Sequence, residues 1–375
     1  MTVNTLTLHN FRNIGEMVFS PAKNVNIICG DNAQGKTNLI EALWLFTGAK
    51  SFRGAKENEF IKLNTPFAAL SLAFESEERE QTADIKLYDL KKKEVLLNGA
   101  QKESASALAG RFCAVVFAPS HLGIVTEGPA ERRRFIDLAI GQIRPMYIKL
   151  LSDYQKALAQ RNSLLKDIPY HSELQDTVEL WDDRLAKTGA SIALLRLRYL
   201  KKLGGEAAAI YAGLAGPEEP FKLTYQPSVL MPNEAPTTQE LYEAILKALR
   251  EDLLEDIRAG FTTRGVHRDD IEIEICGLPA KAYGSQGQKR SAVLSLKLAE
   301  SNILKDSLGE NPVILLDDVM SELDAKRQEY ILNHVKDKQV FITCCDSCVC
   351  AALQDGAVFH IAGGAIQQQQ TDGLP

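Results

Sequence analysis

The sequence predicts an α/β fold, a mixed sheet with helices, carrying an inserted and mainly helical second domain. Three observations carry that prediction. Both ends of the chain hold apolar runs of strand length, such as Val25-Asn26-Ile27-Ile28-Cys29 and Val313-Ile314-Leu315-Leu316. The middle, residues 129–169 and 173–211, is rich in Leu, Ala, Arg and Lys and poor in β-branched residues, as long helices are. A glycine-bearing loop follows the first apolar run and precedes an apolar-faced helix, the setting that a phosphate-binding loop requires.

In chain order, Leu6 and Leu8 alternate with polar residues and predict a strand. From Lys36 the period changes, and Leu39, Ile40, Leu43, Trp44 and Phe46 fall on one helical face. Residues 67–98 return to strand character, and Val115-Val116-Phe117 is a buried-strand candidate stopped by Pro119. Within the helical middle, Pro145, Pro169 and the Leu203-Gly204-Gly205 step interrupt the pattern. Residues 216–236 read as loops around one strand at 221–225, and 238–258 as one amphipathic helix. Ile271, Ile273 and Ile275 alternate with glutamate, predicting a half-exposed strand; a helix follows over 286–304. The 313–316 run has the continuous apolarity of a central parallel strand, and Val340-Phe341-Ile342-Thr343 is the next. From Gly363 onward, with four glutamines, a loose tail is expected.

A length of 375 residues gives a prior of two to three domains. No apolar run reaches the roughly 18 residues of a membrane helix, and Met-Thr-Val-Asn-Thr-Leu lacks the basic and apolar regions of a secretion signal. A cytoplasmic protein with no membrane partner is expected. Seven cysteines, an odd number with four crowded at 344–350, do not form a disulfide framework. The net charge of -6 supplies no basic footprint over the whole protein, but nucleic acid needs only a local basic face. Three clusters could provide one: Arg132, Arg133 and Arg134; Lys91, Lys92 and Lys93; and Arg196, Arg198, Lys201 and Lys202. Taken alone, each reads more readily as a solvated surface.

The chemistry concentrates in Gly30-Asp31-Asn32-Ala33-Gln34-Gly35-Lys36-Thr37, which satisfies G-x-x-x-x-G-K-[ST]. Glycines let the backbone turn its N–H groups toward phosphates, and the following helix adds the positive end of its dipole. Lys36 would reach the β- and γ-phosphates, and the Thr37 hydroxyl would hold Mg²⁺. The 313–316 run ends in Asp317-Asp318; Asp317 would position the metal and Asp318 would polarise the attacking water. Lys36 and Asp317 stand 281 residues apart, so a domain is inserted between the two halves of the site. Gly284-Ser285-Gln286-Gly287-Gln288, just before a helix, makes a second anion site. One triphosphate seldom needs two, so the second is expected to serve a neighbouring molecule in an isologous dimer.

Loop, Ser-x-Gly-Gln signature, Asp-tipped strand and Ser321-Glu322-Leu323-Asp324 follow the order seen in ABC-type ATPases. With its short helical insertion, the chain resembles the RecF family of ABC/SMC-like ATPases from end to end. The likeness includes residues 6–13, 51–53, 131–137, 265–270 and 284–291. That resemblance implies an ATPase head formed by residues 1–125 and 261–365, a helical arm at 126–260, and a flexible tail at 366–375. It implies a slow DNA-dependent ATPase of bacterial recombinational repair and replication restart. Such a protein binds double-stranded and gapped DNA as an ATP-dependent homodimer and acts with RecR and RecO to load RecA; binding of single-stranded DNA stays open. By the same resemblance Ser285, Gly287 and Gln288 act in trans, Ser321 and Asp324 belong to an interface loop, and Arg12 and Asn13 lie near the nucleotide. The cofactors implied are ATP and Mg²⁺.

The sequence departs from the family pattern at Ala118-Pro119-Ser120-His121, where an acidic residue commonly follows the proline, and at Gly265-Val266-His267, where Gly-Pro-His is usual. Thr343-Cys344-Cys345 lacks the histidine that many transporters use to sense the γ-phosphate. Cys344, Cys345, Cys348 and Cys350 are too close along the chain to surround one zinc readily, and read as small hydrophobes. His121 and His267 read as structural or phosphate-near residues. Other assemblies remain as alternatives: an ABC subunit of a transporter or chromosome-organising complex, or a metabolic nucleotide kinase.

Overall fold

Alternation at the amino terminus forms β1 (Thr2–Phe11), which buries Val3, Leu6, Leu8 and Phe11. A tight turn with Arg12 in the left-handed region returns the chain as β2 (Ile14–Phe19). The fully buried β3 (Val25–Cys29) leads through the glycine loop into α1 (Lys36–Leu45). Next come β4 (Phe67–Ser76), β5 (Arg79–Tyr88), β6 (Glu94–Leu97), β7 (Ala100–Lys102) and β8 (Ala114–Phe117). The helical stretch holds α2 (Gly123–Thr126), α3 (Pro129–Ile143), α4 (Pro145–Asp167) and α5 (Gln175–Ala215). It continues with β9 (Phe221–Gln226), α6 (Thr238–Glu251), α7 (Leu253–Ala259), β10 (Asp270–Ile275), β11 (Leu278–Pro279) and α8 (Ala280–Tyr283). After α9 (Gln286–Leu308) the chain forms β12 (Val313–Asp317), α10 (Ala325–Val335), β13 (Val340–Cys344), β14 (Gly356–Ala362) and β15 (Ala365–Thr371). These elements are those of a computed structural model that describes residues 1–102, 104–345 and 356–371.

Two compact units divide the chain. Met1–Leu122 and Val293–Pro375 form the first, Gly123–Ala292 the second. The first unit holds an antiparallel sheet of order β2-β1-β4-β5-β6-β7 and a second sheet of order β15-β14-β3-β13-β12-β8. In the second sheet β14, β3, β13, β12 and β8 run parallel. β3, β12, β13 and β8 bury every residue, as their largely apolar runs require, and take in the polar Asn26, Asp317 and Thr343 as well. The second unit packs α4, α5 and α6 together and holds the small antiparallel sheet β11-β10-β9. The division falls inside α9 rather than at 260, because β10 pairs with β9 along its whole length and keeps residues 270–275 with the arm.

Three local expectations are corrected. α5 runs unbroken through Gly204 and Gly205, because Leu203 and Ala207 on either side are buried and hold the helix to its neighbours. The 238–258 helix is two helices, parted at Asp252, whose carboxylate receives Arg264 Nε at 2.5 Å. The glutamine-rich end is a strand rather than a loose tail. Gly363 and Gly364, at φ 58° and 77°, turn β14 back into β15, which pairs antiparallel with it. Polar residues suit such an edge strand, which is why no apolar period announced it. Residues 372–375 lie outside the described residues.

Candidate nucleotide-binding site

The phosphate loop needs its glycines. Gly30 and Gly35 sit at φ +152° and +112°, where an L side chain is strained. A Cβ on Gly30 would stand 2.3 Å from the Ile361 carbonyl oxygen, and one on Gly35 2.9 Å from Asn13 Oδ1. Lys36, 4% exposed, curls back so that its Nζ donates to the carbonyls of Gly30 (2.6 Å) and Asp31 (2.9 Å). Thr37 Oγ1 donates to Asp317 Oδ1 at 2.8 Å, bringing together residues 280 positions apart.

Asp317 is set by strand register. It pairs with Thr343 across the parallel β12–β13 ladder, and Thr343 Oγ1 donates to the same Oδ1 at 3.0 Å. That hydroxyl also accepts the Asp318 N–H at 2.9 Å. Burial pushes the Asp317 carboxyl above the usual carboxylate range, and the two threonine hydroxyls oppose the shift. Asp318 adopts φ 52° and is half-buried at the strand tip. A hydroxyl and a carboxylate oxygen meeting at the loop are the hard donors that Mg²⁺ takes, so the residues present fit that ion.

Other residues lock the loop from the side. Asn13 Nδ2 donates to the Gln34 carbonyl (3.1 Å), and Asn38 Nδ2 donates to Asn13 Oδ1 (2.8 Å). The β14–β15 turn closes on the same residue: Gly364 N–H reaches the Gln34 carbonyl and Gly363 N–H its side-chain oxygen. Arg12 turns its guanidinium onto Glu41 of α1, with Nη2 2.6 Å from the carboxylate. Glu41 was not singled out in the sequence, where it reads as one more polar residue of an amphipathic helix. Cys345 Sγ lies 3.0 Å from Asn32 Oδ1 and 3.6 Å from Lys36 Nζ, while Cys29 and Cys344 face each other across β3 and β13 at 3.2 Å. Cys348 and Cys350 fall outside the described residues. Further along, Ser321 Oγ donates to the Asp318 carbonyl (2.9 Å), and Asp324 caps α10 by accepting the Arg327 N–H (3.0 Å).

In the second unit, Ser285 and Gln288 form a reciprocal cap at the start of α9. Ser285 N–H donates to Gln288 Oε1 (2.8 Å), and Gln288 N–H donates to Ser285 Oγ (3.2 Å). Gly287 lies within this first turn. The basic clusters prove unequal. Arg132, 7% exposed, forms a two-pronged bond with Asp270 at 2.7 and 3.0 Å. Arg196, 2% exposed, holds Asp137 at 2.9 and 2.8 Å and the Val266 carbonyl at 2.6 Å. Their expected place on a DNA-facing surface is therefore corrected: burial turns both guanidinium groups inward. Arg133 donates to the Asp269 carbonyl at 2.6 Å, and Arg134 pairs with Glu131 at 3.7 Å. Arg198, Lys201 and Lys202 are exposed on α5. His267 is structural: Nε2 faces the Thr262 carbonyl (3.1 Å), Nδ1 meets the Tyr154 hydroxyl (2.8 Å), and burial lowers its pKa to about 4. His121 Nδ1 accepts the Ala118 N–H at 3.2 Å.

A family model described as the RecF/RecN/SMC N terminal domain matches residues 2–361. The DNA replication and repair protein RecF of Acetivibrio thermocellus is 40% identical over 346 residues, 92% of this chain and 94% of that protein. The chain belongs to the RecF family. Another RecF, from Alkaliphilus oremlandii, is 39% identical over 368 residues, covering 98% of this chain and all of its own. A solved structure of the recombination mediator protein RecF with ATP, in the RecFOR pathway, matches with a TM-score of 0.92 at 34% identity, over 99% of this chain and 98% of that one. An Smc head domain derived from Pyrococcus furiosus, at 17% identity, 99% and 96% coverage and a TM-score of 0.56, shares the fold alone. The architecture is thus that of RecF and of ABC/SMC-type heads, interrupted by a mainly helical second unit. Among the described residues no helix is long and apolar enough to cross a membrane.

Proposed function

We propose that this chain is a cytoplasmic, ATP-dependent DNA-binding protein of bacterial recombinational repair and replication restart. It binds duplex DNA at single-strand gaps as an ATP-bound dimer, hydrolyses ATP slowly in response to DNA, and with RecO and RecR helps load RecA. The observation that carries ATP binding is the bond between Thr37 and Asp317, which joins the phosphate loop to the acidic strand tip. The names of the RecF relatives support the repair role and the partners.

In this reading the loop N–H groups and Lys36 bind the phosphates, and Asp318 orients the attacking water. Mg²⁺ held by Thr37 and Asp317 would neutralise phosphate charge. Ser285, Gly287 and Gln288 of one copy engage the nucleotide of the other, and Ser321 and Asp324 flank that interface. Loss of the γ-phosphate then reopens the dimer. Of the basic clusters, Arg198, Lys201 and Lys202 stay exposed on α5, as Lys91 and Lys92 do in the first unit, and the α5 group is the one proposed to meet DNA phosphates.

Gel shifts on gapped and blunt duplex, with and without ATP, test this reading. ATP should strengthen binding, most on gapped DNA. Lys36→Arg should retain nucleotide binding and lose turnover, and Ser285→Arg should sediment as a monomer in ATP. Tight ATP-dependent dimerisation of Ser285→Arg would remove the shared-nucleotide account.

A further inference from the structure

Glu41 stands one helical turn beyond Thr37 and is fully buried. A carboxylate in that position is costly unless it is paired and hydrogen-bonded. Its three partners come from two segments, the β1–β2 turn and residues 51–53. Arg12 Nη2, from the β1–β2 turn, lies 2.6 Å away; Arg53 Nη1 lies 3.9 Å away; and the Ser51 hydroxyl donates to Oε1. The Arg12 guanidinium also lies over the Phe60 ring, 5.0 Å from its centre.

We propose that Glu41 is a positioning residue: one buried carboxylate that holds Arg12 and Arg53 together beside the phosphate loop so that they act on the bound nucleotide as a unit. The proposal rests on the ATP-binding reading and extends it to a residue outside the loop.

Charge counting favours this over a plain core ion pair. One arginine would neutralise Glu41. The second leaves the group with a net positive charge next to an anion-binding loop, and without Glu41 the two guanidinium groups would repel each other. Arg12 is 17% exposed and supplies the buried half of the pair, whereas Arg53 is 45% exposed. Arg53 also donates to Asn38 Oδ1 at 3.3 Å, and Asn38 leads through Asn13 to the Gln34 carbonyl in the loop. A chain of polar contacts therefore runs from Glu41 to the phosphate loop. Burial raises the Asp317 carboxyl, and the positive charge of Arg53 is among the groups that oppose this rise.

The test is ATP titration of the full chain by calorimetry, run on the wild type, Glu41→Gln, Arg53→Ala and the double variant, with a thermal melt of each. Glu41→Gln and Arg53→Ala should each weaken ATP binding by about tenfold, and the double variant should be no weaker than the worse single variant, since both changes remove one aimed group. An unchanged affinity in folded Glu41→Gln, or losses that multiply to about a hundredfold, would overturn the proposal and leave Glu41 as a core ion pair. Should Glu41→Gln not fold, the same cycle on Arg12→Ala and Arg53→Ala decides: shared loss supports coupling through Glu41, and multiplied loss overturns it. A flat wild-type titration would instead overturn the ATP-binding reading itself, and is distinguishable from a wild type that binds while its variants do not differ.

Discussion

The phosphate loop and α5 use the same residue types for opposite ends. In the loop, glycine is required by backbone geometry: Gly30 and Gly35 adopt left-handed conformations, and a Cβ on either would collide with its surroundings. In α5, Gly204 and Gly205 are ordinary helical residues. Cations differ in the same way. Lys36 is held by loop carbonyls at the site, while Arg196 of α5 is held by Asp137 and the Val266 carbonyl inside the second unit. A glycine or an arginine therefore carries a functional meaning only through what surrounds it, and the surroundings are local in one region and distant in the other.

The second unit gives the largest expected effect. Arg161, fully buried in α4, joins Asp182 of α5 at 2.6 Å, Asp256 of α7 at 2.5 Å and the Thr262 hydroxyl at 2.8 Å. Arg161→Met should cost about 3–5 kcal/mol in urea unfolding, because two carboxylates are left buried without their counter-charge. A loss below about 1 kcal/mol would mean that the cluster is hydrated and would weaken the contrast between buried and exposed cations.

His267 comes next. Its Nε2 meets a carbonyl, which can only accept, so Nε2 carries the proton and Nδ1 accepts from Tyr154. Burial lowers its pKa from the ordinary 6.5 to about 4, and the Arg268 and Arg133 charges push the same way. The unfolded chain then binds more protons than the folded one between these values. Stability is complete above pH 6.5 and falls as pH drops toward 4, by about 3 kcal/mol. His267→Gln should flatten that acid limb in denaturant melts taken from pH 7.5 to 4.5. An unchanged limb would assign the acid sensitivity to other groups.

A smaller and different effect is expected on the outer face of α5. Replacing Arg198, Lys201 and Lys202 by alanine should leave unfolding within about 0.5 kcal/mol of the parent, since all three are exposed. In the DNA-binding reading, the slope of log affinity against log salt should become shallower by about 2 to 3. An unaltered slope would place the phosphate contacts elsewhere.

The parts legible in the sequence were those whose cause is local. The loop is a contiguous motif between a strand and a helix, and β3, β12 and β13 announce themselves by short, largely apolar runs. Glu41 was hidden because its partners Arg12 and Arg53 become neighbours only after folding. Arg132 and Arg196 looked like surface charge because Asp270 and Asp137, which bury them, lie 138 and 59 positions away. β15 was missed because an edge strand is held by backbone pairing and needs no apolar alternation.

The smallest effect tests the glycine half of the contrast. Gly205 is exposed in the interior of a 41-residue helix, ten residues before its end, and an added Cβ there meets nothing within 4 Å. Alanine keeps the same helical backbone, loses less conformational freedom on folding and encounters no neighbour. Gly205→Ala should therefore stabilise the protein by about 0.5–1 kcal/mol. At Gly204 the added Cβ would lie 3.6 Å from Leu223 Cβ, an ordinary van der Waals contact, so a similar gain is expected. Differential scanning calorimetry of the two variants measures the effect directly. If either substitution destabilises the protein, the helix is not continuous through this step in solution, and the Leu203-Gly204-Gly205 interruption read from the sequence would be restored.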